Sequence, residues 1–380
     1  NVPVREARRM REELGRFHRD FAWHEQPGAG HWWENSDEPG AECVDWPPLF
    51  EFFARHRIPA DPEVRQIQFV TVNPGISARS HWLGIDQQER ALVPSTVSAQ
   101  WDPGLQRVTA TTDNVRRLIL DTAPMQLSAG TPLIVRLDGQ ELAAKPTPPS
   151  RLESNPSTPG APPWRQPVRF EKIGDRWQIA DPLPGGHKHP GRSGPFKEAF
   201  RHRMLFVYGT HGTPEENAWA LAKARFDAES FWYRGNGSVD VIPDTEFTLE
   251  STRDRGVIVY GHRDLNSAWP LLLGNSPIQV GRGEVRVGER RLAREDLACL
   301  FVQPRPDSDV ASVGVVAGSG IRGLRLTQRL PYFMAGTGYP DCLVLSPRFL
   351  EEGTKGIVTA GFFGPDWSVR AGDWAWGSAE

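Results

Sequence analysis

A histidine on a flexible glycine loop can move protons when one ring nitrogen is held by an acid and the other faces a substrate. Gly28-Ala29-Gly30-His31 is such a stretch, and Trp32 and Trp33 follow it with large flat side chains suited to bordering a substrate or, equally, to packing in a core. In the chemistry this suggests, the imidazole takes the proton of a serine hydroxyl and returns it to the leaving group, while a carboxylate fixes its tautomer. The serine is not recognisable in the chain. G-x-S-x-G, the sharp strand-to-helix turn that exposes a nucleophile, does not occur. Gly75-Ile76-Ser77-Ala78 runs into Arg79, and Gly191-Arg192-Ser193-Gly194 runs into Pro195. His31 is the candidate catalytic histidine of the chain, without a recognisable nucleophile. His24, its competitor, falls within Phe21–Glu25, which reads as a short strand and suits packing better.

Other candidates are weaker. His262 and Asp264 follow the apolar run Val257–Tyr260, and the carboxyl end of a strand is where α/β sheets bind ligands. They are the expected residues of a second pocket, although the polar segment around them favours the surface. His187-Lys188-His189 places two imidazoles two residues apart in a Pro/Gly-rich loop. Without a third ligand this reads as a solvated loop and not a metal site. Gly209-Thr210-His211-Gly212 precedes a helix, but Glu215 and Glu216 already put negative charge where a phosphate would sit. Gly318-Ser319-Gly320-Ile321-Arg322-Gly323 fits the dinucleotide fingerprint in spacing. Its ribose-binding acid is misplaced, since Asp341 precedes a strand instead of ending one. Tight turns and close packing explain these glycines, and no cofactor or metal is expected.

The elements around His31 are legible. Val4, Ala7, Met10, Leu14 and Phe17 recur at helical spacing through an amphipathic opening helix. Asp45 as a cap, Pro47 and Pro48 in the first turn, and Leu49, Phe50, Phe52 and Phe53 as the apolar face signal a second helix. Asn1-Val2-Pro3 resembles the end of the "DDNVP" turn of prolyl-oligopeptidase-type serine peptidases and related esterases. The order helix, strand, glycine loop with histidine, closing helix is also similar to the end of their α/β-hydrolase domain. His31 lies 30 positions after Asn1. The resemblance covers residues 1 to about 57 and implies that Asn1 stands beside the triad aspartate. It further implies that the nucleophile and acid lie upstream of Asn1, a peptide or ester substrate, and an upstream part of the same domain as a necessary partner. The opening residues then read as the interior of a longer domain.

Beyond residue 60 the pattern changes. Ile67, Phe69 and Thr71, then Val108, Ala110 and Thr112, then Leu133, Val135 and Leu137 alternate with polar residues, as half-buried strands do. Asp138-Gly139 between two such runs is a hairpin turn. Residues 63–145 are expected to form a β-sandwich. The proline-rich stretch 146–167 follows as a linker, and 168–380 as a hairpin plus a second, Rossmann- or flavodoxin-like α/β domain. In that last region Met204–Tyr208, Val257–Tyr260, Leu297–Val302, Ser312–Ala317 and Cys342–Leu345 read as buried strands of a mainly parallel sheet. Thr213-Pro214-Glu215-Glu216 is a capping box opening a long helix. The expected fold is thus a multidomain α/β protein: the end of a hydrolase sheet, a β-sandwich, then a second α/β domain.

Charge and composition exclude some classes. A net charge of −3 offers no basic footprint for nucleic acid, and no apolar run reaches the roughly 20 residues a membrane span needs. Three distant cysteines, Cys43, Cys299 and Cys342, form no disulfide framework and read as buried thiols. The full-length protein is expected to be a serine hydrolase, and this chain alone to be inactive. The alternatives are a non-catalytic polymer- or partner-binding protein, or a degenerate hydrolase.

Overall fold

The computed structural model describes residues 3–30, 46–128, 130–145 and 167–377. The chain divides into two compact units, Asn1–Glu63 and Val64–Glu380. In the first, α1 (Val4–Gly15) begins after Pro3 and carries Glu6 in its first turn, where a negative charge favours the helix dipole. Helix α2 (Pro47–Arg55) starts with two prolines whose missing N–H groups are not needed there. Its cap position is Trp46, not Asp45, which lies outside the described residues. Phe21–Glu25 is not a strand. No neighbouring strand among the described residues of the unit supplies the ladder that extended backbone requires. Instead Trp23 lies under the Arg11 guanidinium, and His24 stacks on Trp46. No described residue of this unit is buried, and Met10, Phe50 and Phe53 of the two helices stay exposed.

The second unit opens with ten strands: β1 (Gln66–Thr71), β2 (Arg79–Ser80), β3 (Leu83–Gln88), β4 (Ser95–Asp102), β5 (Arg107–Asp113), β6 (Val115–Leu120), β7 (Leu133–Leu137), β8 (Gln140–Ala144), β9 (Val168–Ile173) and β10 (Arg176–Ala180). They form two five-stranded sheets, ordered β1-β4-β5-β7-β8 and β10-β9-β6-β3-β2. Both sheets feed one apolar core: Phe69, Trp101 and Val135 from the first meet Ile85, Leu118 and Phe170 from the second. The alternation along β1, with Ile67, Phe69 and Thr71 buried, is what points one face of the strand inward. Between β7 and β8 both turn residues have positive φ, 48° at Asp138 and 87° at Gly139, the geometry that matches strand twist. The β9–β10 hairpin, assigned from sequence to the C-terminal region, instead pairs with β6 and completes this body. Phe170 and Trp177 of the hairpin carry the apolar surface that anchors it there.

The C-terminal part is an eight-stranded sheet ordered β12-β11-β13-β18-β17-β19-β20-β21. Its strands are β11 (Met204–Tyr208), β12 (Asp240–Pro243), β13 (Gly256–Tyr260), β17 (Ala298–Pro304), β18 (Ser312–Gly318), β19 (Cys342–Leu345), β20 (Ile357–Phe362) and β21 (Asp373–Trp376). A separate antiparallel sheet joins β14 (Ile278–Gly281), β15 (Glu284–Val287) and β16 (Arg290–Leu292). Only half of the large sheet is parallel: β12, β11, β13 and β18 run together, and β17, β19, β20 and β21 are antiparallel to their neighbours. The expectation of a mainly parallel sheet fails because β17 and β19 are joined to their neighbours without the long helical crossovers that parallel strands need. Helix α3 (Pro214–Gly235) packs on β11, β12 and β13; the shorter helices are α4 (Trp269–Leu273), α5 (Ile321–Leu326) and α6 (Phe349–Glu352). The molecule is thus a mixed α/β protein with several sheets. No helix among the described residues is long and apolar enough to cross a membrane.

Candidate functional site

Of the residues singled out from sequence, Asn1, His31, Trp32 and Trp33 lie outside the described residues. His262 and Asp264 are described, and they belong to a polar cluster at the carboxyl end of the parallel half-sheet. The chain leaves β11 through α3 to reach β12 on one side, then returns to β13 on the other. The crevice between the carboxyl ends of β11 and β13 is therefore a topological switch point, where open α/β sheets bind their ligands.

Three loops meet there. The first, Gly209–Thr213, is held tightly: a Cβ on Gly209 would lie 2.5 Å from the Leu265 carbonyl oxygen, so only glycine fits. The second is the turn after β12, which presents Asp244. The third, Gly261–Ala268, is pinned by Asn266, whose amide donates to the carbonyls of Val207 at 3.0 Å and Tyr260 at 3.2 Å, the last turns of β11 and β13. Asp244 ties all three. Its carboxylate accepts from the Thr210 hydroxyl at 2.7 Å, the Ser267 N–H at 2.5 Å and His211 Nδ1 at 3.1 Å. Burial alone would raise this carboxyl, but those donors outweigh it and hold it below the ordinary aspartate value. His211 stays half-exposed, and its Nε2 has no partner among the described residues.

A second set lies beside it. His262 is fully buried, not at the surface as expected, because Gly261 turns the chain sharply at φ 112° and drives the next side chain under the loop. Its Nε2 meets Glu216 Oε1 at 3.3 Å. Burial lowers the imidazole's affinity for a proton despite that carboxylate. Glu216 is the third residue of the capping box, accepting from the Thr213 N–H at 2.9 Å, and it also takes the Arg282 guanidinium at 2.7 Å. Although burial opposes ionisation, these donors hold Glu216 at about 2. Asp264 is half-exposed and accepts the Arg282 N–H at 2.7 Å.

The two sets differ in what they can do. Glu216, His262 and Arg282 satisfy one another and fix the start of α3 against the β13 loop. His211, oriented by a buried carboxylate and open at Nε2, has the arrangement of a proton-transferring imidazole. No serine, cysteine or threonine hydrogen-bonds to that nitrogen among the described residues. Sequence reading identified His262 and Asp264 but missed Asp244 and Arg282. The available signal for Asp244 was an acid directly after the strand ending in Pro243.

The glycine loops have structural explanations. In Gly209–Thr213 the N–H groups of Gly209, His211, Gly212 and Thr213 are taken by Tyr260, Leu265, Asn217 and Glu216, so the loop offers no row of free N–H groups to cradle a phosphate. A Cβ on Gly323 would lie 2.0 Å from the Leu297 carbonyl, and one on Gly318 2.3 Å from the Leu324 nitrogen, so α5 packs directly onto backbone. His187-Lys188-His189 is not a solvated loop: Lys188 is buried, ion-paired to Asp341 and lying 4.8 Å from the centre of the Trp367 ring. Among the described residues no group of three or more His, Cys, Asp or Glu side chains is arranged to hold a metal. No protein-family model matches the chain, and no curated protein matches it in sequence.

Proposed function

We propose that this chain is the C-terminal part of a prolyl-oligopeptidase-type serine hydrolase, a peptidase or esterase, and that His31 is its general base. The observation that carries the reading is Asn1-Val2-Pro3 standing 30 positions before the histidine of Gly28-Ala29-Gly30-His31. Helices α1 and α2, flanking that loop at the expected places, support it. So does the packing: two amphipathic helices that bury nothing within their own unit suit elements whose apolar faces belong against a larger sheet. In this reading Trp32 and Trp33 border the substrate, and residues 64 onward are accessory, a β-sandwich followed by a second, Rossmann- or flavodoxin-like domain. A triad needs nucleophile, base and oxyanion donors around one carbon, so His31 alone cannot perform acyl transfer.

The experiment is to extend the chain upstream and probe it with a fluorophosphonate. The longer protein should label, and His31→Ala in it should lower turnover by several orders of magnitude. Labelling of the chain as it stands, or full activity of the His31→Ala protein, would overturn the assignment. A second reading, a binding protein, is favoured by the crevice between β11 and β13 with its half-exposed His211. The encoded sequence before Asn1 separates the two. An aspartate at the turn and a G-x-S-x-G further upstream belong to the hydrolase, and their absence to the binding protein.

A further inference from the structure

A cavity of about 360 Å³ lies between the two-sheet body and the far edge of the eight-stranded sheet, well away in sequence from His31. One wall is the end of β3 and the turn after it, including Asp86 and Arg90. The opposite wall is the β20–β21 connection, with Phe362, Phe363 and Pro365, and Lys188 and Ser193 close the third side. The volume falls in the range of about 300–1,000 Å³ typical of small-molecule sites.

The charges on these walls can be balanced one by one. Lys188 is paired with Asp341 at 2.5 Å, Arg90 with Asp373 at 3.2 Å, and Glu89 with Lys172 at 3.2 Å. Asp86 has no hydrogen bond or ion-pair contact among the described residues, so the unbalanced charge presented to the cavity is a carboxylate. Arg79, Arg117, Arg169 and His189 act on it only from beyond contact distance. Arg117 is already engaged by Glu171 and the Asp181 carbonyl, Arg169 by the Pro167 carbonyl and His189 by the Asp309 carbonyl, while Arg79, with no partner among the described residues, is exposed and does not line the cavity. Burial outweighs all four and raises the Asp86 carboxyl above its ordinary value, which is the condition of an acid lacking a close counter-ion. An anionic ligand would meet that carboxylate, and the two cations lining the cavity, Lys188 and Arg90, are already paired. A ligand with an ammonium and an apolar body would satisfy the acid and cover the Phe362–Pro365 wall. The same region already holds one ammonium against an aromatic ring, Lys188 over Trp367.

We propose that this cavity is a binding site for a small organic cation, a primary ammonium on an apolar body, with Asp86 as its counter-ion. The test is calorimetry at neutral pH with benzylamine, and with benzyl alcohol and benzoate as neutral and anionic analogues of the same size. Benzylamine should saturate one site at millimolar concentration or below, with both analogues weaker by about tenfold or more. Asp86→Asn should weaken benzylamine by a similar factor while leaving benzyl alcohol unchanged. Ala91→Trp, which fills the cavity from the β3 side without touching the acid, should abolish binding. Absence of saturation, preference for benzoate, or undiminished affinity in folded Asp86→Asn overturns the proposal. If Asp86→Asn does not fold, undiminished affinity in Ala91→Trp overturns it.

Discussion

Two buried carboxyls in the C-terminal part differ in how fully their oxygens are engaged. Glu198 is almost fully buried and accepts the Ser193 N–H at 2.8 Å, yet its second oxygen has no partner among the described residues. Burial is the main cause that raises its carboxyl to about 7, and the charge of Asp341 adds to it. From about 4.5, the ordinary value, up to about 7, the folded state keeps a proton that the unfolded chain has released. Stability is therefore favoured at the acid end and is lost as pH rises through that window, by about 3 kcal/mol in total. Glu198→Gln should flatten the dependence, raising the melting temperature at pH 8 relative to wild type more than at pH 5. Equal shifts at both pH values would contradict this. Asp227 differs in having every oxygen engaged, although burial raises its carboxyl too. It pairs with Lys223 at 2.6 Å and accepts from the Tyr260 hydroxyl at 3.0 Å and from that of Tyr332. Lys223→Ala would leave this acid buried without its cation. It should cost about 3–5 kcal/mol in denaturant unfolding, whereas Tyr332→Phe, which keeps the cation, should cost about 1–2 kcal/mol.

At the scale of elements, the close approach of α5 to the strand backbone makes a sharp prediction. Gly323→Ala would push a methyl group to 2.0 Å from the Leu297 carbonyl oxygen, and the neighbour is backbone that cannot swing away. The substitution should cost about 1–3 kcal/mol, measured against Gly336→Ala, where a Cβ meets nothing but φ is 76°. A larger loss at position 336 would show that backbone strain, not packing, governs these glycines. Such reasons also explain which elements could be read in advance. The strands with Ile67, Val108 and Leu133 were legible because period-two alternation is a local record of a half-buried sheet. The capping box at Thr213 was legible because all its atoms lie within four residues, and both of its hydrogen bonds are present. The pairing of β9 and β10 with β6 was not, because a hairpin's sequence says nothing about which sheet it extends. Phe21–Glu25 shows the converse, an alternating stretch with no partner strand among the described residues. The switch-point cluster was half legible for the same reason. Strand ends mark themselves, but the meeting of Asp244, His211 and Ser267 depends on three loops brought together by strand order.

For the whole molecule, the contrast between the two units decides what can fold alone. Val64–Glu380 contains two extensive apolar cores, one shared by the paired five-stranded sheets and one around the eight-stranded sheet. Within that unit the two parts are joined by polar contacts, Arg201 to the Gly75 carbonyl at 2.6 Å and Gln87 to the Lys188 carbonyl at 2.8 Å. Asn1–Glu63 has no buried residue among those described, and its helices of 12 and 9 residues are at or below the roughly 12–15 residues at which an isolated helix becomes even marginally stable. A shortened chain of residues 64–380 should therefore fold and melt cooperatively, by calorimetry and near-ultraviolet dichroism, within a few degrees of the full chain. A peptide of residues 1–63 should give a weak helical signal with no cooperative transition. The hydrolase reading adds one more outcome: with the upstream sequence restored, the same 63 residues should become protected from amide exchange, because their exposed apolar faces then have a sheet to cover. A cooperatively melting 1–63 peptide would mean that this unit has a core of its own, and the packing argument for the proposed hydrolase reading would be gone.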